Sequence, residues 1–252
     1  MDQMSRLREA GQLYCSLMEE VLARDEMILR VLHDGLPQTP FQQTVPEAEV
    51  AMRVEFAYLQ LRLICELIAL ACLAVHGDVP GARTKAVRKE YAADDIIKLL
   101  ARLHPDFYPK PSIKGEPLFG GLVLPTPILD GYLTKEELIA LYGECGRVLH
   151  RGTIKDLPGR NPPLPSVETA RSWADKIWVL LQHHQIQTWD RGITIYALMK
   201  DRQESRPQFG LCQNRPGQWG IVLEVLRSTR SAPPPNPAQP QPDGDPSDTL
   251  PR

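Results

Sequence analysis

The chain lacks the short motifs that most often carry catalysis. It contains no GxxxxGK[ST] phosphate loop, no GxGxxG turn, no HExxH metal pair and no GxSxG nucleophile elbow. Its 29 basic and 31 acidic side chains nearly cancel, which excludes a histone-like composition. The residues therefore predict no cofactor and leave open whether the protein is an enzyme.

Paired cysteines are also absent. Five cysteines stand at positions 15, 65, 72, 145 and 212, with no CxxC pair and no histidine at zinc-finger spacing. Cys65 and Cys72 would lie two helical turns apart, about 10 Å, which is too far for a disulfide. We expect reduced, buried cysteines and no metal site.

The sequence predicts neither a secretory signal nor a membrane span. The first six residues alternate charged and apolar side chains instead of placing a basic patch before an apolar run. The apolar stretch 59–75 is interrupted by Gln60, Arg62 and Glu66, and it is shorter than the roughly 20 residues that cross a bilayer. We therefore expect a cytoplasmic protein that makes no membrane contact.

Proline is abundant, and its 24 positions divide the chain. An interior helical proline costs about 3 kcal/mol, so long proline-free spans are the candidate helices. Residues 7–32 repeat apolar side chains every three or four positions and stop before Gly35 and Pro37. This pattern predicts an amphipathic helix of about eight turns.

Two later helices carry start signals. Thr134 and Glu137 form a T-x-x-E capping box, which predicts a helix over about 135–150. Ser166 can cap the next helix, whose apolar stripe runs up to His183.

Beyond Trp189 the apolar period changes from helical to alternating. Ile193 and Ile195 begin one alternating run, and shorter apolar runs follow at 209–211 and 219–226. These runs predict three short antiparallel strands. The expected fold class is therefore mainly α: a helical bundle over residues 1–190 with a small three-stranded antiparallel extension over 191–227 packed on it.

Two proline-rich stretches interrupt this plan. Residues 228–252 hold eight prolines and almost no apolar side chains, so we expect a disordered tail that cannot offset its ordering entropy. Residues 105–127 hold six prolines and are expected to be irregular, with Gly121 to Leu124 as the candidate extended segment.

The span 47–79 predicts the central helix. On a helical wheel Tyr58, Arg62 and Glu66 fall within a sector of about 80°, and apolar side chains cover nearly all the rest. The helix is therefore expected to be buried on most sides. Arg62 and Glu66 stand one turn apart, where they can pair.

Two interpretations of this polar stripe stay open. It can form a buried or half-buried network that fixes the helix register, since an unpaired buried charge costs several kcal/mol. Alternatively it lines a cleft that Tyr91, His104 or His150 completes from the opposite wall. Such a cleft could bind an anion or move a proton.

A basic cluster is the candidate nucleic-acid site. It consists of Arg83, Lys85, Arg88 and Lys89. The helix macrodipole disfavours cations at a helix start, where this cluster is expected, and phosphate contact would explain their presence. Acidic residues surround the cluster, so a solvated face is the competing interpretation.

The remaining histidines have simpler explanations. His183 and His184 are expected near a helix C-terminus, where a charged imidazole caps the helix. Neighbouring side chains on a helix point about 100° apart, which is poor geometry for a shared metal. His104 and His150 also stand at expected helix ends.

Several stretches resemble a known superfamily. The segment FAYLQLRLICELIALA at 56–71, LHPDFYP around His104 and CGRVLH at 145–150 resemble a group of uncharacterised bacterial helical proteins. More distantly, residues 46–152 resemble the HEPN superfamily of helical bundles, which implies an RNA-binding or RNA-cleaving protein of a defence or toxin type. HEPN nucleases carry an arginine four to six residues before a histidine. Here Arg147 precedes His150 by three, so that motif is absent in its usual form.

Three classes of function follow from these observations. We expect a non-catalytic binding or protein-interaction module, which pairs with a second copy through the long N-terminal helix. The alternative is a HEPN-like RNA-binding or RNA-cleaving protein, in which the polar stripe and an imidazole converge. A nucleic-acid binder would depend on residues 83–89 and would be sensitive to salt.

Overall fold

The computed structural model describes residues 3–34, 46–77, 92–113, 126–150, 164–189, 192–199, 208–215 and 218–226. Within these ranges the protein is mainly helical with a small antiparallel sheet, as the sequence predicts. Several predictions concern residues outside these ranges: the tail 228–252, the extended segment 121–124, the basic cluster 83–89 and Tyr91.

The first two helices form an antiparallel hairpin. They are α1 (Gln3–Asp34) and α2 (Pro46–Val75). The amphipathic stripe predicted for the N-terminal helix is confirmed for most of its apolar side chains, which are buried in the core, whereas Leu13 is 51% exposed. The most enclosed of the buried side chains are Tyr14, Cys15, Met18, Val21 and Ile28. The apolar side of α1 packs mainly against α2, so this chain itself covers most of the apolar surface of α1.

Two arginines fix the register of the hairpin. Arg24 Nη1 donates to Gln60 Oε1 at 2.8 Å near its middle. Arg53 Nε donates to the Val31 carbonyl at 2.9 Å, and its guanidinium also donates to the Leu32 carbonyl. The last carbonyls of α1 have no intrahelical donors, so Arg53 caps that helix from α2.

Three shorter helices pack around the hairpin: α3 (Ala93–Leu103), α4 (Lys135–Leu149) and α5 (Val167–Leu181). The predicted capping box is confirmed, since Thr134 Oγ1 accepts from Glu137 N at 3.2 Å and Glu137 Oε2 accepts from Thr134 N at 3.0 Å. Ser166 Oγ accepts from Thr169 N at 3.2 Å and caps α5 as predicted. Glu137 also accepts a hydrogen bond from Lys176, which ties α4 to α5.

The sheet is larger than predicted. Its strands are β1 (Lys110–Ile113), β2 (Thr126–Pro127), β3 (His183–Gln187), β4 (Ile193–Leu198), β5 (Gln208–Arg215) and β6 (Gln218–Leu226). Five of them form an antiparallel sheet in the order β1-β3-β4-β5-β6, and the two-residue β2 pairs with the outer edge of β1. The prediction of three strands was therefore wrong, although the three predicted strands are present.

The missed strands have weak sequence signals. β1 contains Pro111, and proline usually demotes a run to an edge strand or a loop because it has no N–H. β3 reads HHQIQ, so its inward positions are filled by His184 and Ile186 instead of two apolar residues. An imidazole in place of an aliphatic side chain hid the alternation that identifies a strand.

One hydrophobic core serves both the helices and the sheet. Ile186, Ile195 and Leu211 belong to the same buried cluster as Tyr14 and Ile64. All five cysteines are free and buried, and burial raises the pKa of the Cys15 and Cys145 thiols to about 12. These thiols are protonated at neutral pH and contribute as small apolar side chains.

The central helix α2 is strongly apolar but only partly enclosed by the rest of the protein. Its segment Ala48–Val75 is long and apolar enough to cross a bilayer, and 61% of the apolar window is enclosed by protein. Such enclosure is typical of the core helix of a globular domain. The unenclosed part of this helix is apolar too, and it defines the candidate site.

Candidate functional site

The predicted polar stripe lies between α2 and α4. Arg62 Nε is 3.3 Å from Glu66 Oε1, and Arg62 Nη2 donates to the Tyr142 hydroxyl at 2.9 Å. That hydroxyl donates to Glu66 Oε1 at 3.2 Å, so the three side chains close a ring of hydrogen bonds. The guanidinium carbon also stands 4.6 Å from the centroid of the Tyr142 ring, where a cation–π attraction adds to the bonds.

A second pair extends this contact. The Tyr58 hydroxyl, one turn before Arg62 on α2, donates to Glu144 Oε1, two residues after Tyr142 on α4. Burial, and then the neighbouring Glu144 carboxylate, raise the pKa of Tyr58. The phenol is therefore protonated at neutral pH and holds the carboxylate as a donor. We call these five residues the α2–α4 seam: Tyr58, Arg62, Glu66, Tyr142 and Glu144.

The seam is half-buried and its groups satisfy one another. Arg62 and Glu66 expose 30% and 27% of their side chains, so water reaches both charges. Each charge nevertheless has a directed partner within the chain. This arrangement fixes the register of α2 against α4.

The structure places the two predicted imidazoles at different distances from the seam. His104 caps α3 and packs against His76, with ring centroids 5.2 Å apart and the rings tilted by 44°. His76 follows Glu66 by ten residues, about 15 Å along a helix, so His104 lies away from the stripe. His150 is exposed at the end of α4, one turn beyond Gly146, where an added Cβ would come 3.7 Å from Arg62 Nη1. Its backbone therefore lies about one turn from the arginine of the stripe.

A buried imidazole that sequence analysis missed joins the helices to the sheet. His76 Nδ1 lies 2.8 Å from the Cys72 carbonyl oxygen, and Nε2 lies 3.0 Å from the Gln187 carbonyl oxygen. Burial lowers the pKa of His76, although both carbonyls favour its charged form. A neutral ring can donate to only one of them. The sequence contains one indication of this role: His76 directly precedes Gly77, and glycine commonly follows the last turn of a helix.

The second missed imidazole is His184. It was expected to be charged at a helix end, and that expectation was wrong because the residue turns inward on β3 and is fully buried. Burial lowers the pKa of His184 to about 4. Its Nδ1 donates to the Leu181 carbonyl at 2.9 Å, and the Tyr14 hydroxyl donates to Nε2 at 2.5 Å. His184 therefore does cap α5, but as a neutral ring.

A shallow cleft opens beside the start of α4. It has a volume of about 200 Å³ and is lined by Tyr108, Tyr132 and several charged residues. Its cations are already matched, since Lys110 Nζ is 3.3 Å from Asp106 and Lys135 Nζ is 3.8 Å from Glu136. The described residues contain no cluster of three or more metal-ligating side chains there or elsewhere.

The outward side of α2 exposes several large apolar side chains. Leu59 exposes 42% of its surface, and Met52 and Leu70 expose 37% each. Phe56 and Leu63 are half-buried between them. These five side chains recur at three-, four- and seven-residue spacing, so they share one side of the helix. We call them the α2 outer face.

The helical wheel drawn from the sequence singled out the polar stripe of α2 as the candidate site and did not single out the α2 outer face. In the structure the stripe turns toward α4, and aliphatic side chains are left facing outward. Arg62 lies about 60° to 80° around the helix from Leu59 and Leu70 and forms one rim of the face. Glu66, in contrast, lies only about 20° to 40° from these leucines and interrupts the row between Leu63 and Leu70. Apart from the stripe the helix is apolar on nearly every side, so its sequence does not indicate which apolar side stays uncovered.

Comparison with family models, with curated proteins and with solved structures finds no match for this chain.

Proposed function

We propose that the chain is a non-catalytic protein-interaction module that binds its partner through the α2 outer face. The observation that carries this proposal is the exposure of Leu59, Leu70 and Met52 along one side of a central helix. Soluble proteins rarely leave large apolar patches uncovered, and apolar patches beside polar residues are typical of interaction sites.

The chemistry of the seam supports binding over catalysis. Arg62, Glu66 and Tyr142 bond to one another, and Tyr58 is held protonated by Glu144. A general base or acid needs a free proton site near its substrate. The alternative of HEPN-like RNA cleavage requires an imidazole beside the stripe, and it stays a prediction.

Photo-crosslinking can test the module. A photoreactive residue at Leu59 should cross-link to a discrete partner in cells, and the additional change Leu70→Glu should abolish that product. The matched control is a photoreactive residue at Leu129, which is apolar and 86% exposed but lies outside the α2 outer face. Equal products from Leu59 and Leu129, or a Leu59 product that survives Leu70→Glu, would contradict the proposal.

A further inference from the structure

We propose that the partner of the α2 outer face is a second copy of this chain, with the two α2 helices antiparallel. The two-fold axis crosses the outer face at the level of positions 64 and 65 along the helix. This inference rests on the proposed function, because it names the occupant of the same face. Two-fold dimers use one self-complementary patch on both copies. The charges and the exposed leucines of α2 share a common midpoint, which is what such a patch requires.

The charges are self-complementary about this axis. A two-fold axis perpendicular to two antiparallel helices reverses the order of residues along the helix axis. A residue above the centre of one helix therefore comes level with a residue below the centre of the other, and the same side of each helix faces its copy. Arg62 and Glu66 are centred on position 64, so Arg62 comes level with the partner's Glu66 and Glu66 with the partner's Arg62. Both side chains keep about 30% of their surface exposed in the single copy, so they remain accessible to each other.

The exposed leucines have nearly the same centre. Leu59 and Leu70 are centred between positions 64 and 65, so each packs against the other across the axis. Leu63 lies close to the axis and meets its own copy. A single register therefore joins leucine with leucine and cation with anion.

The neighbouring helix widens the patch. Arg24 reaches Gln60 from one flank of α1, and Leu13 stands eleven residues, or three turns, away on that same flank. Leu13 is 51% exposed, and the hairpin register sets it level with Ala71, beside Leu70. Leu13 thus adds apolar surface from the N-terminal helix to the α2 outer face.

The size of the face sets the expected strength. From Met52 to Leu70 it extends about 27 Å, and one such helix face buries less than the roughly 1,600 Å² of a standard interface. We therefore expect dissociation in the micromolar range.

Sedimentation equilibrium tests for the dimer directly. The full chain should pass from monomer to dimer between about 1 and about 100 µM. Leu70→Glu should raise the dissociation constant at least tenfold, because it places a carboxylate against the partner's Leu59. Leu129→Glu, at an exposed apolar site elsewhere, should leave the constant unchanged. Equal weakening by both variants would overturn the proposal.

Charge exchange tests the axis. Arg62→Glu sets two carboxylates against each other across the interface and should weaken the dimer. The double change Arg62→Glu with Glu66→Arg restores opposite charges both within one helix and across the axis, so it should recover most of the association. Failure to recover, in a double variant with the thermal midpoint of the parent, would contradict this register.

Cysteine pairing tests the direction of the helices. Leu59→Cys and Leu70→Cys proteins, mixed and gently oxidised, should give a covalent dimer. Either protein alone should not, because its two new thiols would lie about 16 Å apart along the axis. The five native cysteines are buried and give little background. Cross-linking of each protein to its own copies, with no disulfide between the two different variants in the mixture, would indicate parallel helices and overturn the proposal.

The outcomes separate this inference from the proposed function. A chain that stays monomeric at all concentrations, yet gives a Leu59 photo-product of different mass that Leu70→Glu removes, rejects the second copy and retains the module. A monomer without such a product rejects both. A monomer that floats with phosphatidylcholine vesicles through Leu59 and Leu70 rejects both in favour of a lipid surface.

Discussion

Two polar clusters among the described residues hold their ionisable groups in opposite charge states. At the junction of helices and sheet, His184 is fully buried and its two nitrogens are bonded to Tyr14 and Leu181. At the α2–α4 seam, Arg62 and Glu66 are about 30% exposed and remain a pair of opposite charges.

The difference follows from the cost of desolvation. A charge in a dry interior costs several kcal/mol, so the enclosed imidazole is held neutral by burial and by a ring of matched donors and acceptors. The half-open seam keeps part of its hydration, and opposite charges there contribute modestly without a large penalty. We therefore expect acid to lower the free energy of unfolding through His184 at the junction. Removal of a charge at the seam should lower it by a smaller amount.

The largest effect should come from acid at the junction. The folded pKa of His184 is about 4, below the usual value near 6.5, so the unfolded chain binds more protons between these two values. The contribution of neutral His184 to the free energy of unfolding is therefore fully present above pH 6.5 and is lost as the pH falls toward 4. From pH 7.5 to pH 5, the free energy of unfolding should fall by about 2 kcal/mol through this residue.

Urea unfolding at the two pH values measures this loss. His184→Gln should be less stable at pH 7.5 but should lose about 2 kcal/mol less than the parent on acidification. His150→Gln, at an exposed histidine, is the matched control and should follow the parent. An unchanged acid response in His184→Gln would mean that the junction does not carry the acid sensitivity.

At the seam, Arg62→Leu should cost about 1 kcal/mol. A fully buried pair broken on one side costs about 3 to 5 kcal/mol, but the stranded Glu66 keeps solvent contact and the Tyr142 hydroxyl. Arg62→Leu with Glu66→Leu should recover part of this loss, which a double-mutant cycle at low protein concentration measures. A loss above about 3 kcal/mol from the single change would show that the seam is as dry as the junction.

The two clusters also differ in how far sequence could predict them. Arg62 and Glu66 are neighbours on one helix, so their pairing followed from spacing alone. Tyr14 and His184 are 170 residues apart, and no local pattern predicts that contact. Helices α1, α4 and α5 were predicted for the same reason, since amphipathic period and caps are local signals.

The apolar face of α2 needed the structure. Its sequence is apolar on nearly every side, so which leucines stay uncovered depends on where α1 and α4 pack. Strands β1 and β3 were hidden similarly, because Pro111 and His184 occupy positions that an aliphatic residue would have made recognisable. Local rules therefore predicted the helices, and tertiary packing decided the site.

The caps of the two helices beside the seam allow a smaller comparison. Thr134→Ala removes the side-chain half of a capping box and should cost about 1 kcal/mol. Ser166→Ala removes a single cap bond at an exposed helix start and should cost about 0.5 kcal/mol. Urea unfolding of both variants at pH 7.5 measures the difference. A larger loss from Ser166→Ala would contradict the view that the reciprocal box is the stronger cap.

An effect of similar size and opposite sign is expected beside the seam. Gly143 is exposed on α4, beside Tyr142, and an added Cβ there meets nothing within 4 Å. A glycine within a helix costs roughly 0.5 to 1 kcal/mol relative to alanine, so Gly143→Ala should stabilise the chain by about that amount. Gly146→Ala is the matched comparison, since its Cβ would come 3.7 Å from Arg62 Nη1, an ordinary contact, and should give a similar gain. Thermal unfolding of both variants measures the gains. If Gly143→Ala stabilises while Gly146→Ala destabilises, then the guanidinium of Arg62 has no room to adjust, and the seam is packed as tightly as the junction.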